Sequence, residues 1–400
     1  MSRFQRPLSP PIPNGLDGHN DTRIEFFHPA YPNLVNPLLT FPAVDVAGDG
    51  RIGIDFDTAR VACGIVACNR WDDDAYFAVK SHEQGKIIWT KIERPDDGVL
   101  CADTIYYFVV DEPDHRYPVV PSFDHWRFPH GALPPLWAKL SIPDINRYIP
   151  PANDWDYDTV AHHRDVSCRV TGCFEGVKVA HILPFSHDLW FRSNRMDGYC
   201  RIPHVVNPIG DQTNLLLLRA DIHNLYDQNR FAFIPKDATC NGPESIPTLL
   251  LHAILTKGSP EISQYYHNRP LQSPIVGIRR EHLFARFALS ILCEENYRFL
   301  SGMHKYAVRL FDTEKGEQYT DELYSDAIIQ RSKIFPPARR TWGPRKRKTF
   351  SSPQPRELYE EDDSSWDEET SVEYPSDSEQ RPRGRARLRS PGYYKTLVSQ

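Results

Sequence analysis

One stretch constrains this chain more than any other. From Arg164 to Lys236 the apolar pattern changes period: DVSCRV and VKVAHIL alternate with a strand's period of two, and Leu215, Leu218, Ile222 and Leu225 recur at helical spacing. TGCFEG between the first two runs supplies turn residues, so the expected order is a β-hairpin, a spacer and a helix. Val177, Val179 and His181 share one face of the return strand, with His181 near its end, just before Pro184. The helix is expected to start from an Asp211 or Thr213 cap, which places Asn214 in its first turn or just before it. There the Asn214 amide can bond the backbone of the incoming hairpin and hold strand against helix. His223 and Asp227 lie four residues apart and project from one helix face, a suitable pair of metal-ligand positions.

The rest of the chain is read around this piece. Four hundred residues exceed one typical core, and the 35 prolines must gather in linkers and tails. Residues 1–21 are a flexible lead-in, rich in Pro, Gly, Asn and Asp. Residues 22–128 carry short β-rich runs such as RIGIDFD, RVACGIVAC, AYFAVK, KIIWTKIE and TIYYFVVDE, and form a β-rich domain. Residues 129–160 are a proline-rich connector, and 161–240 contain the central unit. Residues 241–335 read as helical: 244–257 and 279–300 carry apolar positions at helical spacing, and DELYSDAIIQRSKIF adds a shorter candidate. Residues 336–400 alternate basic and acidic blocks and form a disordered charged tail. The fold class is therefore α+β.

The formal net charge of -6 makes no global case for nucleic acid, so any basic surface must be local. Arg192, Arg195 and Arg201 in the spacer are candidate phosphate contacts against a default of solvated loop charges. The RKRK cluster at 345–348 reads as a nuclear import signal, a phosphate clamp or a solvated tail. The first 21 residues lack the apolar core of a signal peptide, and no run is long enough to cross a bilayer. The eight cysteines are scattered and expected to be reduced, which fits an intracellular protein with no membrane contact. His162, His163, His187 and His204 lie near the central unit and are expected on loops or the surface.

Hairpin, His, loop, Asn, then His nine residues later on a helix resembles the HNH endonucleases of the ββα-metal fold. CRVTG, AHILPFS, NLLLLRADIHNLYD and FAFIPK look like the variant of that domain found in many fungal proteins. The resemblance covers roughly 70 of the 400 residues. It implies a metal-dependent endonuclease in which His181 is the general base, His223 a metal ligand and Asn214 the residue that fixes the loop. It also implies a divalent cation, Mg2+ or else Mn2+ or Zn2+, and nucleic acid, namely DNA, as partner. Imidazole suits the base role because its ordinary pKa lies near neutrality, and a strand-end position is expected to aim His181 at the groove between hairpin and helix.

Two departures from the family pattern matter. Ala180 stands where many such nucleases carry an acidic residue or a second histidine as a further metal ligand; Asp227 is read as compensating from the helix. Cys168 and Cys173 lack the second cysteine pair that a structural zinc would need. Ala180 also favours a rival reading, a noncatalytic module on the same fold that binds nucleic acid or protein.

Overall fold

The computed structural model describes residues 22–31, 36–111, 115–145, 157–201, 207–237, 247–256, 261–293 and 297–336. The lead-in, the charged tail with its RKRK cluster, and His204 lie outside them.

Strands and helices mix along the whole described chain, as an α+β protein requires. In the first part, β1 (Arg23–Phe27), β2 (Leu39–Pro42), β5 (Ala75–Glu83), β6 (Lys86–Ile92) and β8 (Tyr106–Val110) build a five-stranded sheet in the order β2-β1-β8-β5-β6. Only the β1/β8 pairing is parallel. A second antiparallel sheet joins β3 (Asp45–Val46), β4 (Ile52–Asp55) and β7 (Val99–Cys101).

RVACGIVAC, expected as strand, lies largely in α1 (Phe56–Val66). The Asp55 carboxylate caps that helix by accepting from the Thr58 N–H at 2.8 Å. Nine of its eleven residues are buried, all but Asp57 and Arg60; a short, mostly apolar run reads equally as a buried strand, so pattern alone did not separate the two.

The central unit follows α2 (Pro135–Lys139) and α3 (Tyr157–Asp165). It consists of β9 (Val177–His181), a long loop that includes α4 (Asp188–Ser193), β10 (Leu215–Arg219) and α5 (Ala220–Asp227). Strand β9 pairs antiparallel with β10, not with DVSCRV. Residues 168–173 instead close a turn, with the Cys168 N–H bonded to the Cys173 carbonyl at 2.9 Å and Gly172 at φ +74°.

Leu215–Leu218 were expected in a helix and form a strand. All four leucines are at most 1 % exposed, so both faces are covered. Leu215 and Leu217 pack with Ala161 of α3, whereas Leu216 and Leu218 pack with Ile222 and Tyr226 of α5. The free edge of β10 is satisfied by other groups: the Asp165 carboxylate accepts from Leu217 N–H (2.8 Å) and Arg169 N–H donates to Leu217 C=O (2.8 Å).

Beyond the central unit, β11 (Phe231–Lys236), β12 (Thr248–Ala253) and β13 (Arg269–Pro270) form an antiparallel sheet. The apolar run in 244–257 is thus strand where it is described, its leucines feeding a sheet. Helix α6 (Arg280–Ile291) is buried from His282 onward and packs on β11 and α1 behind the central unit. A hairpin of β14 (Lys305–Asp312) and β15 (Glu317–Tyr324) follows, then α7 (Ser325–Arg331). One apolar cluster runs from Ile24 to Ile328, so the front sheet, the central unit and the later elements share a core. No helix among the described residues is long and apolar enough to cross a membrane.

Candidate functional site

Asn214 is the anchor. It ends a short 3-10 turn, Gln212–Asn214, ahead of β10 rather than inside a helix. Asp211 shapes that turn, its Oδ1 accepting from Thr213 N–H (2.9 Å), the Thr213 hydroxyl (2.6 Å) and Arg201 N–H (3.1 Å). Asn214 itself is 0 % exposed. Its Oδ1 accepts from Leu183 N–H at 2.9 Å, and its Nδ2 donates to the carbonyls of Leu183 (3.1 Å) and Ile209 (2.8 Å). Its own carbonyl accepts from Ile182 N–H at 2.7 Å. The side-chain amide therefore fastens Leu183, at the start of the long loop, to Ile209 near its end, while the Asn214 main chain holds Ile182. Stacked indoles of Trp126 and Trp190, with the Trp190 Nε1–H donating to the Trp126 carbonyl at 3.0 Å, support the middle of that loop.

His181 is the last residue of β9 and stands opposite Leu215, beside Asn214. Residues opposed in an antiparallel pair share a face, so His181 lies on the face of Val179, Leu215 and Leu217. That face is covered by α3 and not by α5. The groove between ribbon and α5, where His181 was expected to aim, receives Ala180 and Lys178 instead, because successive strand residues alternate. Ala180 is 0 % exposed and joins the cluster that holds Ile222 and Tyr226.

His223 sits one turn into α5 with its Nε2 3.4 Å from Asp227 Oδ2. Burial pushes its pKa below the usual value; Asp227 opposes this, and the cations Lys178 and Arg286 reinforce it. A neutral imidazole beside an exposed carboxylate is a pair of donors able to ligate one ion. Their separation is near the ligand-to-ligand distance of about 3 Å in an octahedral site with bonds of ~2.1 Å. Asp221 on the same helix pairs with Arg219 at 2.6 Å and stays outside this pair. The structure therefore brings His181 to Asn214 and His223 to Asp227, and the two groups approach the ribbon from opposite faces.

The neighbouring candidates resolve simply. The His187 ring meets Phe123 edge-on at 5.2 Å, and Arg192 pairs with Asp188 at 2.9 Å. His162 and His163 belong to α3 and are exposed. Lys178 and Arg286 escaped the sequence reading. Lys178 reads as the polar member of an alternating strand, and nothing in sequence ties Arg286 to a helix sixty residues earlier. Its guanidinium lies 4.1 Å from the Tyr226 ring centroid and donates to the Tyr226 carbonyl.

A second polar cluster lies where the β3–β4–β7 sheet meets β11–β13. Ligand-type atoms of Asp45, His252 and His267 fall within 4.8 Å of one another. Asp45 Oδ1 already accepts from Lys236 Nζ (2.8 Å), His267 Nε2 (3.0 Å) and Asn268 Nδ2 (2.8 Å), and Oδ2 accepts from Asp55 N–H (2.9 Å). Because His267 Nδ1 accepts from Ala253 N–H at 3.2 Å, its proton sits on Nε2 and faces Asp45. Burial raises the Asp45 pKa, and these partners bring it well below the usual carboxylate range. The arrangement is that of an ammonium- and imidazole-bonded carboxylate, with the metal position taken by protons and Lys236.

Residues 168–234 match the family model of the HNH endonucleases, so the ribbon β9–β10 and α5 form an HNH domain. No curated protein and no solved structure matches the chain.

Proposed function

We propose that the HNH domain hydrolyses phosphodiester bonds in DNA with a divalent cation, Mg2+ or, in its place, Mn2+ or Zn2+. Nuclease-type action on nucleic acid is the family-level property of the domain; the substrate, the ion and the residue roles are our reading. His181, at the strand tip, is the general base that takes a proton from the attacking water. His223 and Asp227 hold the cation, whose charge, when bound, stabilises the nonbridging and departing oxygens. Asn214 is a positioning residue: by tying down Ile182 and Leu183 it fixes where β9 ends and hence where the His181 ring begins.

The observation that carries this reading is the Asn214 clamp inside the matched segment. Three buried hydrogen bonds on one amide, two of them to Leu183 just beyond His181 and one to Ile209, are costly to assemble for a loop without a task. With His181 and α5 on opposite faces, the scissile phosphate must straddle the open end of the ribbon, where β9 stops.

Buried Ala180 supports a second reading, a noncatalytic nucleic-acid or protein-binding module, because the ribbon offers α5 no donor there. Two measurements separate them. Calorimetric titration with Mg2+ and Mn2+ should show binding that is lost in His223→Ala, and the wild-type chain should nick supercoiled plasmid only with metal. Absence of binding at millimolar metal, together with no nicking, selects the module.

A further inference from the structure

Next to the His223–Asp227 pair lies a cavity of about 700 Å3 to which separate parts of the chain contribute. Asp227 lines both. Around it stand Arg23 of β1, Arg230 just after α5, and Arg298 ahead of β14. Among the described residues that line it, three guanidinium groups accompany one carboxylate, on a chain whose formal net charge is -6.

Two further features select the kind of ligand. Among the described residues, Pro37 and Leu255 are the apolar lining and Asn36, Gln228 and Asn229 add amides, a lining more polar than that of a site for small organic molecules. The C-terminal end of α5 would ordinarily repel an anion. Here its last carbonyls are taken: Asn224 C=O by Gln228 N–H, Leu225 C=O by Arg230 N–H, and Tyr226 C=O by Asn229 N–H and the Arg286 guanidinium. The three arginines face the same cavity as that helix end.

We infer that this cavity is a groove for the sugar-phosphate backbone of a polynucleotide, with Arg23, Arg230 and Arg298 as phosphate contacts. Planar guanidinium forks match phosphate oxygens bidentately. The inference rests on the nuclease reading for its direction: a strand whose scissile phosphate lies at Asp227 continues into the groove. It follows that the five-stranded sheet, through Arg23 of β1, and Asn36 ahead of β2 are part of substrate recognition and not only separate neighbours of the HNH domain.

The test is binding, not cleavage. Fluorescence anisotropy of labelled duplex DNA, single-stranded DNA and single-stranded RNA would be recorded on the full chain in EDTA, across a range of salt. The wild type is compared with Arg23→Gln/Arg230→Gln/Arg298→Gln and with the corresponding triple Lys variant. At ~0.1 M salt the Gln variant should bind at least about tenfold more weakly, and the slope of log affinity against log salt should become shallower by about 2 to 3. The Lys variant should keep most of the slope, which separates lost charge from lost fold, and the preferred oligonucleotide identifies the polymer. Equal affinity and slope in wild type and Gln variant overturn the groove, even if plasmid nicking persists. Loss of slope in the Gln variant, on a wild type that binds but never nicks, upholds the groove while the nuclease reading fails.

Discussion

Asn214→Asp replaces an amide by an isosteric carboxyl and so isolates the clamp from packing. In the native site one side-chain oxygen accepts from Leu183 N–H, and the NH2 group donates to the Leu183 and Ile209 carbonyls at 3.1 and 2.8 Å. An ionised aspartate keeps the first bond and turns an oxygen without a proton toward both carbonyls, at a residue with no exposure. Two buried carbonyls then lose their donor, at about 1–3 kcal/mol each, before the charge itself is counted. The site escapes by keeping the carboxyl protonated, which restores one donor. At pH 7 that costs about 1.4 kcal/mol per unit above the unfolded pKa of ~3.9, or roughly 4 kcal/mol. The folded pKa is raised, so the native state holds the extra proton, and the stability deficit shrinks as pH falls toward the unfolded value. Thermal denaturation followed by circular dichroism at pH 5, 6, 7 and 8 measures the gap between wild type and variant. It should be roughly 10 °C at pH 7 and close by about half or more at pH 5. A gap that is negligible at pH 7, or that does not change with pH, refutes the clamp.

Other consequences are as direct. His28 is 1 % exposed, its Nδ1 accepting from Ala30 N–H (3.2 Å) and its Nε2 bonded to the Tyr117 carbonyl (3.1 Å), and burial pushes its pKa down to about 3. The unfolded chain binds that proton near pH 6.5 and the native chain does not. Stability should therefore fall with pH from 6.5 downward at about 1.4 kcal/mol per unit from this residue. Urea titrations between pH 7 and 5 should show a slope shallower by that amount in His28→Gln, and an unchanged slope counts against the buried neutral ring. His252 is 0 % exposed with a hydrogen-bond partner on neither ring nitrogen, so His252→Leu should leave urea stability unchanged or raise it by about 1 kcal/mol. A loss above about 2 kcal/mol, with a metal ion lost on mass analysis, would instead make the Asp45 cluster a cation site.

The parts of this protein legible from sequence were those governed by one local rule. A histidine at the end of an alternating run is a strand tip, and His223 with Asp227 falls on one face of a helix wherever that helix begins. Long-range covering decided the rest. Leu215–Leu218 read as helix because Leu215, Leu218 and Ile222 happen to fit its period; they are strand because α3 and α5 cover both sides. The same blindness applies to α1 and to β12, since a short apolar run can fit either period and only the neighbours that cover it decide between strand and helix. DVSCRV alternates correctly yet β9 pairs elsewhere, since the 168–173 turn holds it outside the ladder and Asp165 and Arg169 occupy the β10 edge. The face on which His181 emerges followed from register, which only the identity of the partner strand determines.

Plasmid nicking by the full chain, wild type against His181→Ala, reaches the central claim most directly. His181 is partly exposed at the strand end, so its truncation should leave circular dichroism unchanged while Mg2+- or Mn2+-dependent conversion of supercoiled to nicked circles falls by about a hundredfold or more. Nicking by His181→Ala at the wild-type rate would contradict the account.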